Sequence, residues 1–148
     1  MEAIIFCGIQ ATGKSTFYQQ HFFSTHVRIS LDLLKTRNRE DVFLAACFST
    51  LQKFVADNTN LLKAERAKYI QQARQHKYKV TGYYFRSDLE EAIKRNSFRT
   101  GKACIPEKGI RGAYKRLELP SIEEGFDELY YVTIENNRFS IKNWKDEV

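Results

Sequence analysis

The stretch "GIQATGKS" at residues 8–15 constrains this chain more than any other. It has the spacing Gly, four residues, Gly, Lys and then Ser or Thr, the phosphate-loop pattern in which backbone amides wrap a phosphate. Its flanks fit. Residues 3–7, "AIIFC", form a short apolar run suited to a strand buried on both faces, and residues 14–23, "KSTFYQQHFF", read as a helix. Gly8 and Gly13 can take positive backbone angles, so successive N–H groups can converge on an anion at the positive end of that helix. The candidate nucleotide-binding set is therefore Gly8, Ile9, Gln10, Ala11, Thr12, Gly13, Lys14, Ser15 and Thr16. Lys14 adds a full charge toward β- and γ-phosphates, and the Ser15 hydroxyl is a candidate magnesium ligand. Thr16 divides between an α-phosphate contact and a helix interior.

Strand and helix signals alternate along the rest of the chain. Strands are expected at 26–30, 53–57 and 79–85, and helices at 40–51 and 61–76, the latter capped by Asn58 or Thr59. "SDLE" at 87–90 has capping-box spacing for a further helix, and Pro106 can open another that runs to about 117. The segment "ELYYVTIENNRFSIKNW" reads as strand, Asn136-Asn137 turn and strand. This order predicts an α/β fold, a mostly parallel sheet flanked by helices with a C-terminal hairpin edge.

At 148 residues and 43% hydrophobic content, a single domain over 1–148 with a real core is expected. No apolar run is long enough to span a membrane and the start carries no secretion signal, so a cytoplasmic protein without a membrane partner is expected. Cys7, Cys47 and Cys104 are odd in number and widely spread, which suits reduced packing thiols. The net charge of +6 is unevenly placed: residues 94–116 hold eight basic residues against the single acid Glu107. Within that stretch Phe98 and Tyr114 are expected in the core, with base stacking as the alternative.

A phosphate loop implies a bound nucleoside triphosphate and leaves the product open. Asp57 ends a short hydrophobic strand, where an acid either reaches the bound metal or caps the next helix. Asp32 in "ISLDLLK" follows another candidate strand and either accepts the proton of an attacking hydroxyl or faces solvent.

Taken in order, "GIQATGKST", "ISLDLLK", "DNTN", "RNSFRTGKACIP" and "PSIEEGF" resemble the kinase module of the polynucleotide 5′-hydroxyl kinase family, the end-healing kinases of bacteriophages and metazoa, and with it AAA-type phosphate-loop kinases. The resemblance runs from the loop to about residue 132 and implies a P-loop NTPase kinase fold, ATP as phosphate donor and magnesium. It implies that Asp32 is the general base, that Lys14 and Arg99 hold the transferring phosphoryl group, and that Ser15 and Asp57 serve the metal. Residues 94–116 become a basic lid, with Arg95 supporting it or pairing along its helix. Where the phage enzyme has an arginine three residues beyond the base, this chain has Lys35, which keeps the charge and loses the planar fork; Arg37 or Arg39 could compensate. The implied substrate is RNA or DNA with a 5′-hydroxyl end. A phosphatase signature of the form DxDGT and a ligase signature are not found, so those steps are expected from separate partners. The alternatives are a kinase for a small-molecule hydroxyl and a nucleotide-binding regulatory module.

Overall fold

In the computed structural model, which describes residues 1–145, the alternating pattern resolves into β1 (Glu2–Cys7), α1 (Lys14–His21), β2 (Val27–Ile29), α2 (Leu31–Leu34), α3 (Arg37–Ser49), β3 (Phe54–Ala56), α4 (Lys63–Gln75), β4 (Lys79–Phe85), α5 (Leu89–Ser97), α6 (Glu107–Arg116), β5 (Glu128–Glu135) and β6 (Arg138–Asn143). Among the described residues the strands form one six-stranded sheet in the order β2-β3-β1-β4-β5-β6. β1 pairs in parallel with both β3 and β4, so the turn that follows it opens at the point where the strand order reverses. β2 and β5 extend the parallel sheet, and β6 returns antiparallel to β5. Asn136 and Asn137 both take left-handed angles, φ 53° and 61°, which is the turn chemistry of a tight hairpin.

β1 reads as a continuous apolar run because its two faces feed different cores. Ala3 and Ile5 pack with Leu44, Phe48, Phe54 and Tyr69, while Ile4 and Phe6 pack with Phe17, Phe22 and Phe85 on the other side. A third cluster joins Ile9 and Ala11 of the glycine turn to Leu61, Ala92, Ile110 and Ala113, which anchors α5 and α6 on the turn itself. Each of the isoleucine, leucine and phenylalanine side chains among them contributes on the order of 1.5–3 kcal/mol when fully buried.

Several boundaries differ from the expected ones for local reasons. α3 begins at Arg37 because the Thr36 hydroxyl accepts from Arg39 N at 3.2 Å. α2 is a single turn that periodicity does not reveal; the Ser30 hydroxyl accepts from Asp32 N at its start, and Lys35 at φ 73° stops it. Neither Asn58 nor Thr59 caps α4, whose first free amide, Leu62 N, is taken by Glu65 Oε1 at 3.1 Å. Asp88 rather than Ser87 caps α5, accepting from Glu91 N at 2.9 Å. Cys7 and Cys47 are buried free thiols as expected, whereas Cys104 is exposed because it lies in the connection between α5 and α6. Among the described residues no helix is long and apolar enough to cross a membrane.

Arg66 of α4 ties the layers below the site together. Its fully buried guanidinium donates to both Glu124 carboxylate oxygens, at 2.8 and 3.0 Å, and to the carbonyls of Asn60 and Leu61. Arg66→Ala strands Glu124 and two loop carbonyls, and urea unfolding is expected to show a loss of about 3–5 kcal/mol. A loss below about 1 kcal/mol would contradict this role, since that is the range of an exposed ion pair.

Candidate functional site

The glycine turn is pinned at its base from both sides. Gly8 N donates to the Thr59 carbonyl at 2.9 Å, and Ile9 N donates to Ser87 Oγ at 3.0 Å. Gly8, Ala11 and Gly13 adopt φ of 153°, 61° and 94°. A Cβ at Gly8 would stand 2.9 Å from the Phe85 carbonyl oxygen, and one at Gly13 would stand 2.9 Å from the Phe139 ring. Both positions therefore require glycine. Ala11 holds the left-handed angle with a side chain, at a cost of roughly 1–2 kcal/mol that its burial in the third cluster offsets. Among the described residues the N–H groups of 10–16 have no hydrogen-bond acceptor. A row of unpaired donors at a helix N-terminus fits a polyphosphate.

The charged groups converge on this row. Lys14 Nζ donates to the carbonyls of Gly8 at 2.9 Å and Ile9 at 2.5 Å, and to Thr12 Oγ1 at 3.3 Å. Loss of surrounding water pushes Lys14 down to about 8, while the charges of Asp57, Cys7 and Asp32 pull it up and that of Arg99 pushes it down. Asp57, buried just beyond β3, accepts the Ser15 hydroxyl at 3.3 Å through Oδ2. The same oxygen accepts Arg28 Nε at 2.7 Å. Asp57 is therefore no helix cap. Asp32 lies exposed in the first turn of α2. Its loop is held by Asn58, whose Oδ1 accepts from Leu31 N at 2.9 Å and whose Nδ2 donates to Glu40 Oε2 at 3.2 Å. Tyr69 OH donates to that buried Glu40 at 2.9 Å.

One cleft is lined by residues 10–15 of the turn together with Leu31, Asp32, Arg37, Asp57, Asn58, Thr59, Asn60, Glu65, Arg99 and Ile105. It brings together Lys14, Ser15, Asp32, Asp57 and Arg99. Gly8 and Ile9 form the buried base of the turn. Arg37 reaches the cleft with its guanidinium engaged by Glu40 at 3.0 Å and Glu65 at 3.3 Å. Lys35, Arg95 and Thr16 are not in the lining: Lys35 is the exposed cap of α2, Arg95 faces Glu91 one turn back at 3.7 Å, and Thr16 is exposed on α1. Phe98 and Tyr114 are 77% and 46% exposed, contrary to the expectation of core packing. The inward places of α5 and α6 are taken by Ala92, Asn96, Ile110 and Ala113. Asn96 ties α5 to the connection that leads into α6, its Oδ1 accepting from Ile105 N at 2.8 Å and its Nδ2 donating to Ile105 O at 2.6 Å.

Sequence reasoning missed Arg28, Ser87 and the group formed by Asn58, Glu40 and Tyr69. Arg28 lies inside an expected strand with no spacing that marks it, Ser87 carries a capping-box spacing that points to α5 instead of the glycine turn, and the last group depends on α3 and α4 meeting in space.

The chain belongs to the AAA domain family, whose model matches residues 4–120. A bifunctional polynucleotide phosphatase/kinase from Schizosaccharomyces pombe is 27% identical over 132 residues, a match covering 84% of this chain and 32% of that relative. The chain thus spans about a third of that protein's length. Among solved structures, a gluconokinase from Sinorhizobium meliloti 1021 is similar with TM-score 0.60 at 18% identity, covering 88% of this chain and 82% of the other. Kti12 from Chaetomium thermophilum, in complex with ADP-AlF3, is similar with TM-score 0.62 at 16% identity, covering 88% of each chain. The fold is that of the P-loop kinases.

The lowered Lys14 gives a signed pH dependence. The ammonium is charged below about pH 8 and neutral above it, and a bound polyanion favours the charged form. Affinity for an ATP analogue is therefore expected to fall as pH rises from 7 through about 9, with proton uptake on binding in calorimetry across buffers of different ionisation enthalpy. Lys14→Met should abolish both effects. A flat affinity across that range in the unsubstituted protein would contradict the reading.

Proposed function

We propose that this chain is an ATP-dependent kinase that transfers the γ-phosphate to the 5′-hydroxyl of a polynucleotide. The observation that carries the reading is Asp32, an exposed carboxylate facing the same cleft as Lys14 and Arg99. A carboxylate base and two cations lining one phosphate cradle are the groups that in-line phosphoryl transfer to a hydroxyl requires. Asp32 accepts the hydroxyl proton as that oxygen attacks the γ-phosphorus and the bond to the β-phosphate oxygen breaks, releasing ADP. Lys14 and Arg99 hold the equatorial oxygens, and the N–H groups of 10–16 cradle the remaining phosphates. Ser15 and Asp57 would hold magnesium, two oxygen ligands suiting an ion that otherwise keeps waters and phosphate oxygens, and the ion would neutralise donor charge when bound.

The polynucleotide acceptor is supported by the outer surface of the lid. Lys94, Lys102, Lys108, Arg111, Lys115 and Arg116 are all exposed there, beside the two exposed aromatics Phe98 and Tyr114. Basic side chains track phosphates and aromatic faces stack unpaired bases, the two needs of a single-stranded end. We take residues 1–148 as one kinase domain carrying this lid. A small-molecule hydroxyl is the second reading, favoured by the similarity in fold to a gluconokinase.

The test is transfer of label from the γ-phosphate of ATP, with magnesium, to matched RNA and DNA oligonucleotides bearing 5′-hydroxyl ends. Transfer is expected to fall steeply with salt and to drop by about 100-fold or more in Asp32→Asn, the loss of a general base. Intact ATP binding with no labelled oligonucleotide would overturn the polynucleotide reading.

A further inference from the structure

Ser15 and Asp57 already share a cation that belongs to the chain. Arg28 of β2 donates Nε to Asp57 Oδ2 at 2.7 Å and Nη2 to Ser15 Oγ at 3.0 Å, while the Ser15 hydroxyl donates to the same Asp57 oxygen at 3.3 Å. The three side chains close a triangle at the locus assigned above to magnesium. The Asp57 side chain is 3% exposed and that of Arg28 is 22% exposed, so the pair is largely shielded from water and from salt. β2 is the sheet's edge strand, bonded in parallel only to β3, with Arg28 opposite Val55, two residues before Asp57. The guanidinium thus reaches across the end of β3 from a strand held in place, since Tyr18 OH bonds the His26 carbonyl at 2.6 Å at the start of β2.

We infer that Arg28 is a positioning residue for the metal locus, one that orients Ser15 and Asp57 and opposes entry of a divalent cation ahead of the nucleotide. This rests on the proposed nucleotide site and is independent of the acceptor. The guanidinium, 2.7 Å from Asp57 Oδ2, offsets the carboxylate's charge before any metal arrives. A divalent cation binding alone at Ser15 and Asp57 meets that like charge at short range. A polyphosphate on the row of free amides brings negative charge that offsets it, so the cation enters with the nucleotide. A guanidinium serving only to brace β2 against β3 would leave metal affinity unchanged when replaced by a neutral side chain of similar size.

The experiment uses the full chain and Mn2+ as probe, followed by the loss of the free Mn2+ electron paramagnetic resonance signal without nucleotide. Arg28→Gln is expected to bind Mn2+ about tenfold or more tightly than the unsubstituted protein, because the like charge is gone. Arg28→Lys, which keeps the charge and loses the fork, is expected to stay within about threefold of it. Unchanged or weaker Mn2+ binding in a folded Arg28→Gln overturns the inference, as does tightening in Arg28→Lys. Should Arg28→Gln lose its native circular dichroism, the unsubstituted protein decides: Mn2+ binding as tight without a non-hydrolysable ATP analogue as with it overturns the inference. Failure of that analogue to bind at all would instead count against the nucleotide site, while the nucleotide-free comparison of variants would still judge Arg28.

Discussion

The structure depends on a run of backbone that withholds its hydrogen bonds. The N–H groups of 10–16 have no acceptor among the described residues, an arrangement that costs free energy unless water or an anion satisfies it. What holds the run open is spread over the fold: the Thr59 carbonyl beyond β3 and the Ser87 hydroxyl beyond β4 seize the first two amides. The ring of Phe139 on β6 packs where a Cβ on Gly13 would stand, so even the hairpin edge bears on the loop's shape. Strand order follows from the same demand, since only a strand between β3 and β4 can present its turn to both supports.

Electrostatics complete what the backbone begins. Asp57 lies just beyond β3 and Asp32 in the first turn of α2, yet Asn58 links them, next to one in sequence and bonded to the amide before the other. Glu40 is buried and ionisable, and it keeps partners in Asn58, Tyr69, Arg37 and Lys68. A buried carboxylate with full hydrogen bonding fixes geometry, whereas one left unpaired would break it. Arg37 is drawn into this support, which leaves Asp32 with a fixed backbone and a free carboxylate.

Much of this was legible in the sequence. The apolar run of β1, the glycine turn and the start of α1 follow one another without a gap, and the Asn136-Asn137 pair announces its hairpin. Lys14 and Ser15 follow from the spacing of the glycine turn, Asp32 and Asp57 lie just past strands, and Arg99 is picked out only by the resemblance of "RNSFR" to the kinase family. Local caps were harder to read, because Asn58 and Ser87 look like helix starters and instead serve tertiary partners. Arg28 was invisible for a related reason: an arginine within a three-residue edge strand resembles a solvated surface residue until β3 sets Asp57 beside it. Phe98 and Tyr114 misled in the opposite sense, since large aromatics suggest a core that α5 and α6 fill with smaller side chains.

The central claim is that the free amides following β1 receive the phosphates of ATP. Backbone nitrogen–proton NMR spectra recorded with and without a magnesium-bound, non-hydrolysable ATP analogue test it most directly. The account predicts that the largest shifts fall on the amides of Gly13, Lys14, Ser15 and Thr16 and their loop neighbours, with slower solvent exchange there. Saturable binding that leaves those amides unmoved and shifts another surface would contradict it.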